Sequence, residues 1–129
     1  MTPTYDVPRT KYRASIVDLL PGTLDLLILR ALRWEPTHGA GVAVWLRMVT
    51  DGALELEEGS LYPALHRLER RGLISSEWGP SEKNRRARHY QLTPLGRQRY
   101  RDEADQWARY AEMVDRVLRY GATGGIRGR

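Results

Sequence analysis

Apolar residues recur along this chain at helical spacing in three successive stretches, then at strand spacing, then at helical spacing again. Leu24, Leu27, Ile28, Ala31 and Leu32 stand at i, i+3, i+4, i+7 and i+8, one buried stripe of an α-helix. Thr23 is placed to cap its start and Pro36 to end it. The His38-Gly39-Ala40-Gly41 stretch reads as a turn, after which Val42, Trp45, Leu46 and Val49 repeat the spacing and predict a second helix closing near Gly52. Leu54 and Leu56 alternate with Glu55 and Glu57, as in a short strand with one apolar face. A third helix is expected from about Glu58, with Leu61, Ala64, Leu65 and Leu68 inward, Pro63 tolerated in its first turn, and Gly72 as C-terminal cap.

From Leu73 the period shortens to two. Leu73 to Trp78 and Ala87 to Leu92 are each strand-like, and polar turn formers separate them, so a β-hairpin with a long tip is expected. Thr93 then caps a helix with Pro94 at its first position, and the helical pattern runs to about Tyr120. Residues 1–20 read as an N-terminal arm, loose through about Arg13 and with a short helix over Ala14 to Leu20; residues 121–129 read as a flexible, glycine-rich tail. The expected fold is therefore mainly α with a small β-hairpin. A winged helix-turn-helix domain over residues 21–92, three short helices and then the hairpin, precedes a long C-terminal dimerisation helix over 93–120.

Composition narrows the function. A chain of 129 residues, 41% hydrophobic and 29% charged, suits one folded core rather than two domains or disorder throughout. The absence of cysteine removes disulfides, thiol nucleophiles and thiolate metal sites together, and fits a reducing compartment, so a cytoplasmic location is expected. No apolar run reaches the length of a membrane span, and Asp6, Pro8 and Arg9 replace the apolar core of a signal peptide. The net charge of +5 favours an anionic partner, and its placement sharpens that reading. Residues 81–100 hold six positive charges (Lys83, Arg85, Arg86, Arg88, Arg97, Arg99) against Glu82, a local +5, so the rest of the chain sums to zero.

The inner stripe of the third helix leaves Ser60, Tyr62, Pro63, His66, Arg67, Arg70 and Arg71 wholly or partly outward. Arginine pairs bidentately with guanine or phosphate, and the hydroxyls hold phosphate oxygens, so this face suits the major groove of double-stranded DNA. A solvated face with Glu69 pairing to its arginine neighbours is the plainer alternative. The crowding of Lys83, Arg85, Arg86 and Arg88 on the hairpin tip tips the balance, because such a run repels itself unless a polyanion lies beside it. The same charge could instead grip an acidic protein partner, which steep salt-dependent binding to duplex DNA would rule against.

The long last helix carries Tyr100, Ala104, Trp107, Ala111, Val114 and Leu118 at alternating spacings of four and three, widened by Tyr110, Met113 and Val117. A domain this small has too little surface to cover such a seam, which predicts a homodimer presenting two third helices to a palindromic site. Packing of part of the seam, through Tyr100, against the first helix is the intramolecular alternative. Trp107 lies between the small residues Ala104 and Ala111, an arrangement that either belongs to an ordinary core or lines a cavity stacking a small, flat aromatic effector. No enzyme signature accompanies these features. His38, His66 and His89 lack ligand-spaced partners, Val44 stands where the third glycine of a dinucleotide fingerprint would be, and no cofactor or metal is expected.

Three segments carry a family resemblance: Leu20 to Leu29, Glu58-Gly59-Ser60-Leu61-Tyr62-Pro63-Ala64-Leu65-His66-Arg67-Leu68-Glu69, and Arg88-His89-Tyr90-Gln91-Leu92-Thr93-Pro94-Leu95-Gly96. In this order they resemble the PadR family of bacterial transcriptional regulators, over about residues 20–118. The resemblance implies a homodimeric repressor with a winged-helix domain and, as in the shorter members, a single C-terminal dimerisation helix. It also implies that Ser60, Tyr62, Pro63 and Arg67 belong to the recognition helix and Arg85, Arg86 and Arg88 to a basic wing. The shared interface of such proteins sometimes forms a pore for flat compounds, which adds weight to the effector reading of Trp107.

Overall fold

The computed structural model describes residues 19–20, 22–81 and 85–121. The rest of the N-terminal arm with its expected short helix, Lys83 of the expected wing and all but the first residue of the expected tail lie outside the described residues. The elements are α1 (Thr23–Ala31), β1 (Thr37–His38), α2 (Gly39–Val49), α3 (Glu58–Arg70), β2 (Ile74–Pro80), β3 (Arg86–Leu92) and α4 (Pro94–Arg119). The strands form an antiparallel sheet in the order β1-β3-β2. The helical stripes read from the sequence converge on one core: Ile28, Leu29 and Leu32 from α1, Val42 and Leu46 from α2, Leu61, Ala64, Leu65 and Leu68 from α3, closed by Leu54, Leu73, Ile74, Tyr90 and Leu92. This is the expected winged-helix arrangement with a long helix after it.

Four local readings need correction. Gly22, at φ 85, is the N-cap of α1, so Thr23 is its first helical residue and makes no side-chain cap. His38 to Gly41 is not a turn. Thr37 and His38 pair with Tyr90 and His89 as an edge strand, and α2 starts at once at Gly39 because His38 Nδ1 accepts the Gly41 N–H at 2.9 Å. A two-residue strand is too short to show a period, and a histidine cap falls outside the Ser, Thr, Asp and Asn signature. Of the strand expected at Leu54 to Leu56 only a single bridge at Leu54 forms; the Leu54 N–H donates to Thr50 Oγ1 at 3.1 Å, and Glu55 and Leu56 belong to no strand of the sheet. The hairpin strands are longer than expected and its tip shorter, with the Ser81 N–H donating to the Arg85 carbonyl at 2.6 Å.

The start of α4 is tied to the base of the wing. Thr93 Oγ1 accepts the Gly96 N–H at 3.0 Å and donates to the Gly72 carbonyl at 2.6 Å, while its own N–H donates to the Leu73 carbonyl at 3.1 Å. Gly96 is buried here, and a β-carbon at this position would run into the Leu73 carbonyl, so only glycine lets α4 pass this close. Arg30 Nη1 donates to Tyr100 Oη at 2.7 Å and fastens the next turn of α4 to α1.

Candidate nucleic-acid interface

Successive residues of α3 turn by about 100°. With Leu61, Ala64, Leu65 and Leu68 buried, Gly59, Pro63, His66 and Arg70 lie opposite them at the apex of the exposed face. Tyr62 and Glu69 form one flank, and Ser60, Arg67 and Arg71 form the other. Of the expected recognition residues, then, Pro63, His66 and Arg70 face straight outward, whereas Ser60, Tyr62 and Arg67 stand at the sides.

Each flank is braced to a neighbouring element. The Tyr62 ring rests against Gly39 at the start of α2, where an added β-carbon would come within 2.7 Å of it. Burial, and then the nearby Glu58 carboxylate, push the Tyr62 phenol above its ordinary 10.0, so it stays a neutral hydroxyl donor at physiological pH. Glu69 reaches the wing: Ser76 Oγ donates to Glu69 Oε2 at 2.7 Å, and Arg88 Nη2 donates to Ser76 Oγ at 2.5 Å and to Glu69 Oε2 at 3.5 Å. On the other flank, Arg67 Nη2 and Arg71 Nη1 lie 2.6 Å and 3.4 Å from the two carboxylate oxygens of Asp25 on α1. Among the described residues Glu69 thus pairs across to the wing and not with its arginine neighbours on the helix. Arg88 pairs with Glu69, and Arg67 pairs with an acid far away in sequence.

The wing continues this surface. Partners in antiparallel register share a face, so Ser76 with Tyr90, Trp78 with Arg88 and Pro80 with Arg86 all project to the side that meets α3. Beyond the buried Tyr90, that face carries the exposed Trp78 ring with the guanidinium carbons of Arg86 and Arg88 5.4 Å and 5.3 Å from its centroid, within cation–π range. Burial pushes the Tyr90 phenol above 10.0, with Arg88 partly opposing the shift. Arg70 at the apex and Arg85 at the tip have no ion-pair partner among the described residues. Helix and wing thus form one cationic surface. Asp25, Ser76 and Trp78 were missed in the sequence. Trp78 had a signal, its register opposite Arg88, but Asp25 had none.

The seam of α4 divides along its length. Tyr100 packs against the core and Ala104 is partly covered, so the first turns follow the intramolecular alternative. Farther on, Ala111 and Val114 are partly covered, while Trp107 remains 42% exposed, Leu118 57% and Val117 70%, with Tyr110 and Met113 also open. An open cleft of about 510 Å³ lies between the start of α1 and this helix, lined by Leu20, Thr23, Leu26, Glu103, Trp107 and Tyr110 among others. The Trp107 and Tyr110 rings are 5.7 Å apart. Among the described residues no cluster of His, Cys, Asp or Glu is arranged to hold a metal ion, and no helix is long and apolar enough to cross a membrane.

The family model of the transcriptional regulator PadR-like family matches residues 28–102. The chain is similar to a solved PadR-like transcription factor of Bacteroides fragilis, at 29% identity and TM-score 0.63 over 74% of this chain and 90% of that one. A PadR family transcription regulator of Clostridium difficile aligns at 27% identity and TM-score 0.66 over 75% and 99% of the two chains. One from Eggerthella lenta aligns at 32% identity and TM-score 0.62 over 75% and 82%.

Proposed function

The chain belongs to the PadR-like family, whose members are DNA-binding transcriptional regulators and not enzymes, and from that premise we propose that it is a homodimeric repressor of transcription. The observation that carries the reading is the continuity of α3 with the wing. The Glu69, Ser76 and Arg88 hydrogen bonds hold the cationic inner face of the wing beside the outward face of α3. In this reading Pro63, His66 and Arg70 enter the major groove, with Ser60, Tyr62 and Arg67 at its edges. Arg85, Arg86 and Arg88 hold backbone phosphates, which fix register without reading sequence. Lys83 would add a further phosphate contact.

Dimerisation is proposed through the far part of α4, where Trp107, Ala111, Val114 and Leu118 form an apolar stripe wider than the chain covers by itself. A two-fold dimer would set two α3 helices about 34 Å apart, one turn of duplex, and so address a palindromic operator. The cleft beside Trp107 would receive a small, flat aromatic effector that releases the protein from DNA. Cytoplasmic location follows from this function as a proposal.

Binding to duplexes selected from a randomised pool tests the reading, followed by fluorescence anisotropy from low to moderate salt. We expect a palindromic consensus, steep salt dependence, and lowered transcription from a reporter carrying the selected site. Tight binding that is indifferent to salt, or preference for an acidic protein over duplex, would sink it. Titration with planar aromatic compounds, read by tryptophan fluorescence and loss of DNA binding, tests the effector; no response across a broad set removes that part alone.

A further inference from the structure

The arginines on the DNA side of this molecule are not equivalent. Arg70 is free among the described residues, while Arg67 and Arg71, one turn apart on the α1 flank, converge on one acid. We propose that Asp25, a residue of α1 outside the recognition helix, sets sequence discrimination by holding these two arginines; this rests on α3 being the DNA-reading helix.

Three observations carry the inference. The carboxylate is the fixed partner: the Asp25 side chain is 16% exposed against 46% for Arg67, so the arginine reaches back to the acid. Asp25 lies in the first turn of α1, where the helix dipole favours a negative charge. Each arginine spends one N–H on a different carboxylate oxygen, Arg67 on Oδ1 and Arg71 on Oδ2, out of the five donors a guanidinium carries. The contact therefore orients Arg67 and leaves donors for a guanine edge.

The consequence follows from what an unrestrained arginine does. A flexible guanidinium settles on whatever phosphate is near and strengthens binding to every sequence, whereas one held in a fixed rotamer gains only where a base edge meets its fork. Asp25 thus withdraws two cations from indiscriminate backbone capture. A non-cognate duplex must break the ion pair to recruit them, and a cognate duplex need not.

The test uses the full chain, a duplex selected from a randomised pool, and a scrambled duplex of equal length and composition. Asp25→Asn keeps the shape and removes the charge. The scrambled duplex should bind roughly threefold to tenfold more tightly, with a salt slope steeper by about one to two per protomer, while the selected duplex gains less. The ratio of the two affinities falls, Arg67→Ala in the same background removes the gain, and Asp25→Glu restores part of the ratio. Asp105→Asn on α4, which removes the same charge from a carboxylate 65% exposed and paired with Arg109, should leave the ratio unchanged. If Asp25→Asn proves unstable, Arg67→Lys serves instead, since it keeps the charge, loses the planar fork and should also lower the ratio. A wild-type ratio retained in folded Asp25→Asn, or in Arg67→Lys where Asp25→Asn is unstable, overturns the inference alone. A wild-type chain that binds no duplex overturns the reading of α3 as well.

Discussion

The surface formed by α3 and the wing and the far part of α4 both face solvent, yet they are built on opposite terms. On the first, cations are spaced by acids and rings: Asp25 between Arg67 and Arg71, Glu69 against Arg88, Trp78 under Arg86 and Arg88. On the second, Trp107, Tyr110, Met113, Val117 and Leu118 form a ridge whose charged neighbours pair along the helix at i and i+4 and leave the apolar edge uncovered. Charged groups held in place lose little when a polyanion replaces water around them, whereas exposed apolar area is relieved only by other apolar area. One chain thus presents two surfaces suited to different kinds of partner. Among the described residues, the short stretch around Thr93 and Gly96 joins the wing to the helix that bears the second.

The comparison breaks most sharply at α4. Val114→Glu with Leu118→Glu places two carboxylates per chain on the ridge; sedimentation should show monomers with helical circular dichroism retained. Affinity for a palindromic duplex should fall roughly a hundredfold or more as the second half-site is lost. A dimer that persists would show that another face pairs the chains. Gly96→Ala strikes the joint between the regions, because its β-carbon meets the Leu73 carbonyl. Thermal unfolding should report a loss of about 1–3 kcal/mol.

Arg85→Ala with Arg86→Ala addresses only the first region. Binding to all duplexes should weaken, with a salt slope shallower by about one to two per protomer and no change in molecular mass. The smallest effect concerns pH. Tyr62 and Tyr90 both release their protons less readily folded than unfolded, so the stability they contribute is intact below pH 10.0 and is lost as pH rises through their raised values. Denaturant midpoints at pH 9 and above should fall less steeply with pH in the Tyr62→Phe and Tyr90→Phe variants than in the wild type.

How much of this was legible depends on the range over which each residue acts. Leu24 to Leu32 and Leu61 to Leu68 announce their helices because burial repeats with the helical period within one element. The excess charge between residues 81 and 100 marks the wing for the same local reason. Thr37 and His38 stayed hidden, since a two-residue strand exists only through pairing with Tyr90 and His89. Arg67 was read as a groove contact from its place on the helix, and nothing nearby in sequence announces that Asp25, 42 residues earlier, holds it.

By itself, then, the sequence determined which faces are apolar, where the cations gather and the order of the helices and the hairpin, because periodicity and charge are properties of neighbours along the chain. The tertiary structure alone decided which arginines are braced and which are free. It also decided that Tyr100 closes a core while Trp107 stays open, because those outcomes depend on what another element brings within a few ångströms.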